Sequence, residues 1–217
     1  MKKHKPADSI QDIQYFGEYG GVNPSIADSS TFTYLAGKTM EMVFGGEREG
    51  CYLYSRHMNP STGYLAEAIS NMENTDAAHV SASGMGSISS TIMQICKSGD
   101  HIVSSRTIYG GTYAFIKNFL PRLNISTSFI DTTNLDAVKS AICHDTKILY
   151  CETMSNPLLE ISDIKKLAEI AHENNLKLVV DNTFTPLIFS PAELGADIVV
   201  HSLTKFINGA SDTVGGV

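Results

Sequence analysis

Polar residues able to do chemistry follow two short apolar runs of this sequence. Asp181 comes directly after LKLVV, and Ser202, Thr204 and Lys205 follow DIVV. A lysine amine that apolar neighbours partly shield from water can bond to a carbonyl carbon, and a carboxylate can hold a proton on a heteroaromatic nitrogen. Each residue alone also has a structural explanation, because surface lysines and turn-capping aspartate or hydroxyl residues are common.

A third stretch, SGMGS, offers a place for an anion. Its Gly84 and Met85 lie between a predicted strand and a predicted helix, where free backbone N–H groups can bind phosphate. The stretch matches neither the GxGxxG nor the GK[ST] pattern, so a tight turn without a ligand is the alternative. Tyr109 follows another predicted strand and offers an aromatic face. A phosphate site, an aldehyde-binding lysine, an aspartate and an aromatic face together meet the needs of pyridoxal phosphate.

The composition is that of a globular protein, with 42% hydrophobic and 18% charged residues in a chain of 217. A net charge of −7 argues against nucleic acid as the partner. No apolar run approaches the roughly 20 residues that span a bilayer, and no signal-peptide pattern follows the first lysines. We therefore expect a cytoplasmic protein with no membrane partner. The cysteines and histidines lack metal-ligand spacing, so no metal site is predicted.

The elements that must position these residues alternate between strand and helix. Residues 1–50 are punctuated by Gly, Pro, Asn and Ser and predict an irregular arm. The regular part predicts an α/β fold, a mostly parallel sheet with helices on both faces and a pocket at the carboxyl ends of the strands. Predicted strands cover residues 76–83, 100–105, 125–131, 146–153, 176–182 and 196–202, and predicted helices cover 59–73, 86–99, 111–121, 134–143 and 163–175.

Six stretches occur in an order typical of one enzyme family: YLYSRHMNPS, SASGMGSI, TIYGGTY, ETMSNPLLEISDI, VVDNTFTPL and ADIVVHSLTKFINGASD. From about Tyr52 onward the sequence resembles the Cys/Met-metabolism family of pyridoxal-phosphate enzymes. This family includes cystathionine γ-synthase, cystathionine γ- and β-lyases, methionine γ-lyase and the O-acylhomoserine sulfhydrylases. The resemblance implies a fold type I transferase with an aspartate-aminotransferase-like large domain. It divides the chain into an arm (1–50) and an incomplete cofactor-binding domain (51–217), with the small C-terminal domain absent.

The resemblance also implies a role for each candidate residue. Lys205 would bond to the cofactor aldehyde and then move the α- and β-protons of the substrate. Asp181 would keep the pyridine nitrogen protonated, and Tyr109 would stack on the ring and serve in proton transfer or leaving-group activation. The remaining implied contacts are the N–H groups of Gly84 and Met85 and the hydroxyls of Ser202 and Thr204 at the phosphate, Thr183 against the ring, and Asn156 near the 3-oxygen and the substrate carboxylate.

Two further residues imply an assembly. The Tyr54 and Arg56 equivalents of this family reach the phosphate of the neighbouring subunit, which predicts a homodimer with shared active sites and a homotetramer above it. An exposed edge without a ligand is the alternative for YSR.

The implied reaction is β- or γ-elimination, or γ-replacement, on cystathionine, methionine or an O-acylhomoserine. The arginine that grips the substrate α-carboxylate in this family has no counterpart in the sequence. A catalytically inactive fragment or pseudoenzyme is therefore the first alternative. A nucleotide-binding α/β protein is the second, and the missing phosphate-loop motifs disfavour it.

Overall fold

The computed structural model describes residues 4–11, 20–48 and 50–217. Its centre is a five-stranded sheet in which all neighbouring strands run parallel, in the order β2-β1-β3-β4-β5. The strands are β1 (His101–Ser105), β2 (Ser126–Ile130), β3 (Thr146–Glu152), β4 (Lys177–Asp181) and β5 (Ile198–Val200). The predicted parallel α/β fold is confirmed. The register places Glu152 beside Asp181 and Asp181 beside Val200, so these strand ends share one edge of the sheet.

Helices connect the strands, and four of the described helices begin at a side chain that caps them. The Oδ1 atom of Asn59 accepts a hydrogen bond from the Ser61 N–H at 2.8 Å, and Pro60 occupies the first helical position. The α-helices of the described residues are α1 (Pro6–Gln11), α2 (Gly37–Phe44), α3 (Pro60–Glu73), α4 (Gly84–Ile95), α5 (Gly110–Ala114), α6 (Leu135–Ala141) and α7 (Ile164–Glu173).

Two apolar cores cover the two faces of the sheet, as the sequence predicts. On one face, Ile92 of α4 packs with Ile148 of β3. On the other face, Leu167 of α7 packs with Leu149 of β3 and Leu178 of β4. Since successive strand residues point to opposite faces, central β4 and its neighbour β5 have apolar side chains on both faces, which explains their near-continuous apolar runs.

The first 50 residues are more regular than predicted, as far as they are described. Both α1 and α2 lie in this range. Ile10 of α1 packs against an apolar cluster beside α3, whereas α2 buries none of its side chains and leaves Phe44 exposed. The prediction of an irregular arm is wrong for these two segments, because glycine and proline punctuation still leaves room for short helices. Residues 1–3, 12–19 and 49 of the predicted arm lie outside the described residues.

The predicted strand at residues 76–83 is also wrong. Ser81 makes an isolated antiparallel bridge to Gly216, with its N–H donating to the Gly216 carbonyl at 2.7 Å. Ala78 and Val80 pack against the cluster beside α3. Alternating side chains produce a strand only where a neighbouring backbone supplies hydrogen bonds, and Ser81 alone bridges here among the described residues of this segment.

The predicted helix at residues 111–121 is divided. It consists of α5, a π-helical turn (Phe115–Phe119) and a 3₁₀ turn (Leu120–Leu123). Pro121 has no N–H to donate and its ring crowds the carbonyl four residues earlier, so an α-helix cannot continue through it.

Candidate active site

The predicted pocket lies at the carboxyl ends of β3 and β4 and beside the segment that follows β5. Its cavity volume is about 460 Å³. It brings together nine of the eleven residues predicted to bind a cofactor, namely Gly84, Met85, Tyr109, Asn156, Asp181, Thr183, Ser202, Thr204 and Lys205. The remaining lining residues are Ser83, Ile88, Glu152, Met154, Phe184 and Phe206.

The start of α4 forms the anion-binding end of the pocket. The Oγ atom of Ser83 caps the helix by accepting a hydrogen bond from the Gly86 N–H at 3.0 Å. The N–H groups of the first helical residues, Gly84 and Met85, have no partner within the helix and are left for a ligand. Gly84 also allows a close approach, since a Cβ atom there would lie 2.7 Å from the Ser202 Cβ. This contact brings the Ser202 hydroxyl to the same end of the pocket.

Asp181 provides a buried carboxyl group at the end of β4. It is 7% exposed, and its Oδ1 atom accepts a hydrogen bond from the Thr183 N–H at 3.0 Å. Burial raises the pKa of the Asp181 carboxyl above its ordinary value, while the bonds from Thr183 act in the opposite direction. The Thr183 hydroxyl in turn accepts from the Ser202 N–H at 2.8 Å, which joins the carboxyl group to the α4 end of the site.

Lys205 lies in the turn after β5 and lines the pocket, but the structure corrects its expected environment. It is an exposed residue, so the prediction of partial shielding from water is wrong. The chain turns outward directly after Leu203, and the Lys205 N–H donates to the Ser202 carbonyl at 3.3 Å. The hydroxyl of Thr204 accepts from the Gly215 N–H at 3.2 Å, which ties this turn to the segment beside it.

Tyr109 and Asn156 lie in loops that begin after β1 and β3. The Tyr109 ring is 47% exposed, and Asn156 is exposed. Gly111 leaves room for that ring, since a Cβ atom at this position would lie 2.5 Å from the Tyr109 Cε1. An aromatic face is therefore free to stack on a planar ligand.

Glu152 is a functional candidate that the sequence reasoning missed. It ends β3 beside Asp181, is 5% exposed and lines the pocket. Burial and the neighbouring Asp181 charge raise its pKa to about 7. The signal was available, because a carboxylate that ends an apolar run is the same pattern that pointed to Asp181.

Phe184 and Phe206 form an apolar wall that was not predicted either. Their ring centroids are 5.4 Å apart and both rings line the pocket. Both follow the predicted polar residues by one position, so their neighbours could have indicated them.

Tyr54 and Arg56 are the two predicted residues that do not line the pocket. The Arg56 guanidinium carbon lies 5.2 Å from the centroid of the Tyr54 ring, and Tyr54 bridges to Thr31. Tyr54 is partly exposed, so both groups are available to another surface.

A larger cavity of about 590 Å³ lies along β5 and residues 74–79 and contains none of the predicted site residues. Among the described ranges, no three His, Cys, Asp or Glu side chains are grouped to hold a metal ion. No helix within the same ranges is long and apolar enough to cross a membrane.

Comparison with known proteins shows the family of the chain. Residues 9–217 match the profile of the Cys/Met metabolism PLP-dependent enzymes. The methionine gamma-lyase of Arabidopsis thaliana is 48% identical over an alignment of 217 positions. The alignment covers 97% of this chain and 49% of the relative. The cystathionine gamma-lyase of Bacillus subtilis (strain 168) is 43% identical over 180 residues, 82% of this chain and 47% of the relative.

A solved structure extends the comparison to the cofactor. The metY protein of Campylobacter jejuni, which contains N'-pyridoxyl-lysine-5'-monophosphate, superimposes with a TM-score of 0.92 at 28% identity. The alignment covers 99% of this chain and 53% of that protein. The chain thus spans about half the length of the relatives that it matches. Since the family profile extends over nearly the whole chain, this protein belongs to the Cys/Met metabolism PLP-dependent enzymes.

Proposed function

We propose that this protein uses pyridoxal phosphate to carry out β- or γ-elimination, or γ-replacement, on cystathionine, methionine or an O-acylhomoserine. The observation that carries the proposal is a single pocket that contains the Asp181 carboxyl, the Lys205 amine and the open N-terminus of α4. Such a combination serves a ligand with a basic ring nitrogen, an aldehyde and a phosphate. The pocket volume of about 460 Å³ is in the range of small-molecule and cofactor sites.

The residues at the start of α4 fit the phosphate group. The N–H groups of Gly84 and Met85 would donate to its oxygens, helped by the positive end of the helix dipole. The Ser202 hydroxyl would join them, because it lies against Gly84. Thr204 would complete the set by turning its hydroxyl away from Gly215, which it contacts now.

Asp181 would hold a proton on the ring nitrogen. When it is bound, pyridoxal phosphate supplies a conjugated ring that takes up the electron pair left at the substrate Cα. The buried Asp181 carboxylate is expensive to leave unpaired, so a protonated ring nitrogen beside it is strongly favoured. Thr183, already hydrogen-bonded to this carboxylate, would lie against the ring and fix its height.

Lys205 would move the protons of the reaction. Its amine, placed on an exposed turn, is free to take the proton from the substrate Cα and then from Cβ. Tyr109 would stack on the ring and pass a proton to the leaving group, and the Asn156 amide would hold the 3-oxygen and the substrate carboxylate. The apolar wall of Phe184 and Phe206 would exclude water from this side.

The neighbouring subunit would complete the site. Tyr54 and Arg56 are placed away from the pocket of their own chain and are available to the phosphate in a partner chain. We propose a homodimer with shared sites, further paired into a homotetramer in the cytoplasm; the position of Tyr54 and Arg56 outside the pocket of their own chain supports the shared sites. Mixing the inactive variants Arg56→Ala and Lys205→Ala should restore about a quarter of the activity, because half of all dimers formed are heterodimers and each heterodimer carries one intact site out of two. No restored activity after exchange of subunits would contradict sharing.

The test of the proposed function is an assay of the gene product with pyridoxal phosphate. L-methionine, L-cystathionine and an O-acylhomoserine with a thiol are supplied in turn, and the 2-oxo acid and the sulfur product are measured. We expect turnover of at least one substrate, its loss in Lys205→Ala and its retention in the control Lys166→Ala, an exposed lysine on α7. Cofactor binding without turnover of any substrate would favour the catalytically inactive alternative. Nucleotide binding without cofactor binding would refute the assignment.

A further inference from the structure

We propose that Glu152 is a positioning residue that holds the Tyr109 and Asn156 loops in place at the pocket. The proposal rests on the proposed function, since it assigns the two loops to the cofactor ring and its substituents. Glu152 itself would touch neither reacting atom.

The geometry of the Glu152 carboxylate carries the proposal. Its Oε1 atom accepts a hydrogen bond from the Tyr109 N–H at 2.6 Å, and its Oε2 atom accepts from the Asn156 N–H at 3.2 Å. One carboxylate at the end of β3 thus binds the last residue of the loop before α5 and a residue of the loop that follows β3. The position of the Tyr109 ring relative to the Asn156 amide is thereby tied to the sheet.

A second contact links the same loops farther from the pocket. The hydroxyl of Thr107 donates to the Glu160 Oε2 atom at 2.8 Å. Glu160 lies outside the residues that line the pocket, and its amide analogue would still accept this bond. Glu160 is therefore the matched control for Glu152, with the same side chain and the same two loops.

The ionisation of Glu152 decides whether both bonds exist. A carboxylate accepts hydrogen bonds on both oxygens. A protonated carboxyl or a glutamine amide has a donor group in place of one of these acceptors, so one of the two backbone N–H groups would lose its acceptor. Burial and the Asp181 charge place the pKa of Glu152 at about 7. Both hydrogen bonds to the Glu152 carboxylate are therefore formed above about pH 7 and are weakened as the pH falls through that value. The charged or titratable groups around it are Asp181 on β4, Lys205 after β5, Tyr109 in the bonded loop, and Tyr150 and Cys151 on its own strand.

Two measurements test this role. In the ligand-free protein, the NMR amide proton shifts of Tyr109 and Asn156 should titrate together with a midpoint near pH 7, since both donate to the same carboxylate. Glu152→Gln should abolish this shared titration, and Glu160→Gln should leave it unchanged. Independent titrations of the two amides, or the same titration in Glu152→Gln, would overturn the proposal.

The second measurement is the affinity for pyridoxal phosphate at pH 6 and pH 8. The ionised fraction of a group with a pKa near 7 rises about tenfold between these values, so the wild-type to Glu152→Gln affinity ratio should rise with pH by up to that factor. An equal ratio at both pH values, or an equal effect of Glu160→Gln, would overturn the positioning role. If the wild-type protein binds no pyridoxal phosphate, the proposed function fails and the amide titration alone decides the role of Glu152.

Discussion

Replacing Gly84 by alanine tests the anion end of the pocket. The added Cβ atom would lie 2.7 Å from the Ser202 Cβ and 3.0 Å from the Ser202 Cα. Carbon atoms in contact are normally about 3.5–4.0 Å apart, so α4 and Ser202 must separate by roughly 1 Å. Turning the serine side chain does not relieve the clash, because the Cα atom is itself too close and the Ser202 N–H is bound to Thr183 at 2.8 Å.

The separation of α4 from Ser202 should lower the affinity for the phosphate group more than it lowers the stability of the folded protein. Overpacking of this kind costs about 1–3 kcal/mol of stability. A hydrogen bond to a charged group contributes about 1.5–3 kcal/mol, so each N–H donor lost at the start of α4 lowers the affinity for pyridoxal phosphate by about 10–150-fold.

The assay compares two ligands that differ in the phosphate alone. Pyridoxal phosphate and pyridoxal are titrated into the ligand-free protein and followed by absorbance. Gly84→Ala should lower the affinity for the first by at least about tenfold and leave that for the second nearly unchanged. Gly110→Ala is the control, because a Cβ there meets nothing within 4 Å. An equal loss of affinity for both ligands, or no loss for either, would refute the placement of the phosphate at α4.

Three further substitutions separate the roles of the remaining groups. Asp181→Asn removes the charge that holds a proton on the ring nitrogen and should lower turnover by about 100-fold or more, measured as kcat at saturating cofactor; unchanged kcat would contradict that role. Gly111→Ala places a Cβ 2.5 Å from the Tyr109 ring and should lower both the affinity for pyridoxal phosphate and kcat, because this ring is proposed to stack on the cofactor and to pass a proton to the leaving group; unchanged values of both would contradict that role. Glu73→Ala breaks a buried pair in which Glu73 Oε1 lies 2.6 Å from His201 Nε2. It should lower the free energy of unfolding, measured in urea, by about 3–5 kcal/mol. A loss below about 1 kcal/mol would contradict a structural role for the pair.

The pH dependence of stability provides an independent check on Glu152. Its pKa is raised from 4.5 to about 7 by folding, so the folded state binds a proton that the unfolded state releases. The corresponding stability is fully present below about pH 4.5 and is lost as the pH rises to about 7. The free energy of unfolding in urea, plotted against pH across this window, should have different slopes for wild type and Glu152→Gln. Parallel plots would contradict the raised pKa.

The sequence was sufficient to predict the pocket because strand ends in a parallel sheet converge. Asp181 ends a continuous apolar run, and Gly84 starts a helix after a serine cap, so their places follow from local patterns. Glu152 shows the same pattern, a carboxylate at the end of an apolar run, although the sequence prediction does not include it. The roles of Tyr109 and Asn156, in contrast, came from the family resemblance, since nothing local fixes how loops fold over a pocket.

Other features depend on contacts that a local pattern does not contain. The exposure of Lys205 depends on the direction of the turn after β5, which the apolar run before it does not determine. The incorrectly predicted strand at residues 76–83 also depends on a distant contact. Strand formation requires a hydrogen-bonding neighbour, and in this segment the bridge is the one between Ser81 and Gly216. The clustering of Glu73 with His201 joins residues 128 positions apart and has no local signature.

We expect the Lys205 amine to bond to the aldehyde carbon of pyridoxal phosphate in this pocket. The direct measurement is borohydride reduction of the gene product loaded with pyridoxal phosphate, followed by protease digestion and mass spectrometry of the peptides. One pyridoxyl adduct per chain should be found, located on Lys205, and it should be absent from Lys205→Ala. An adduct on another lysine, or none in a protein that contains the cofactor, would contradict this role of Lys205.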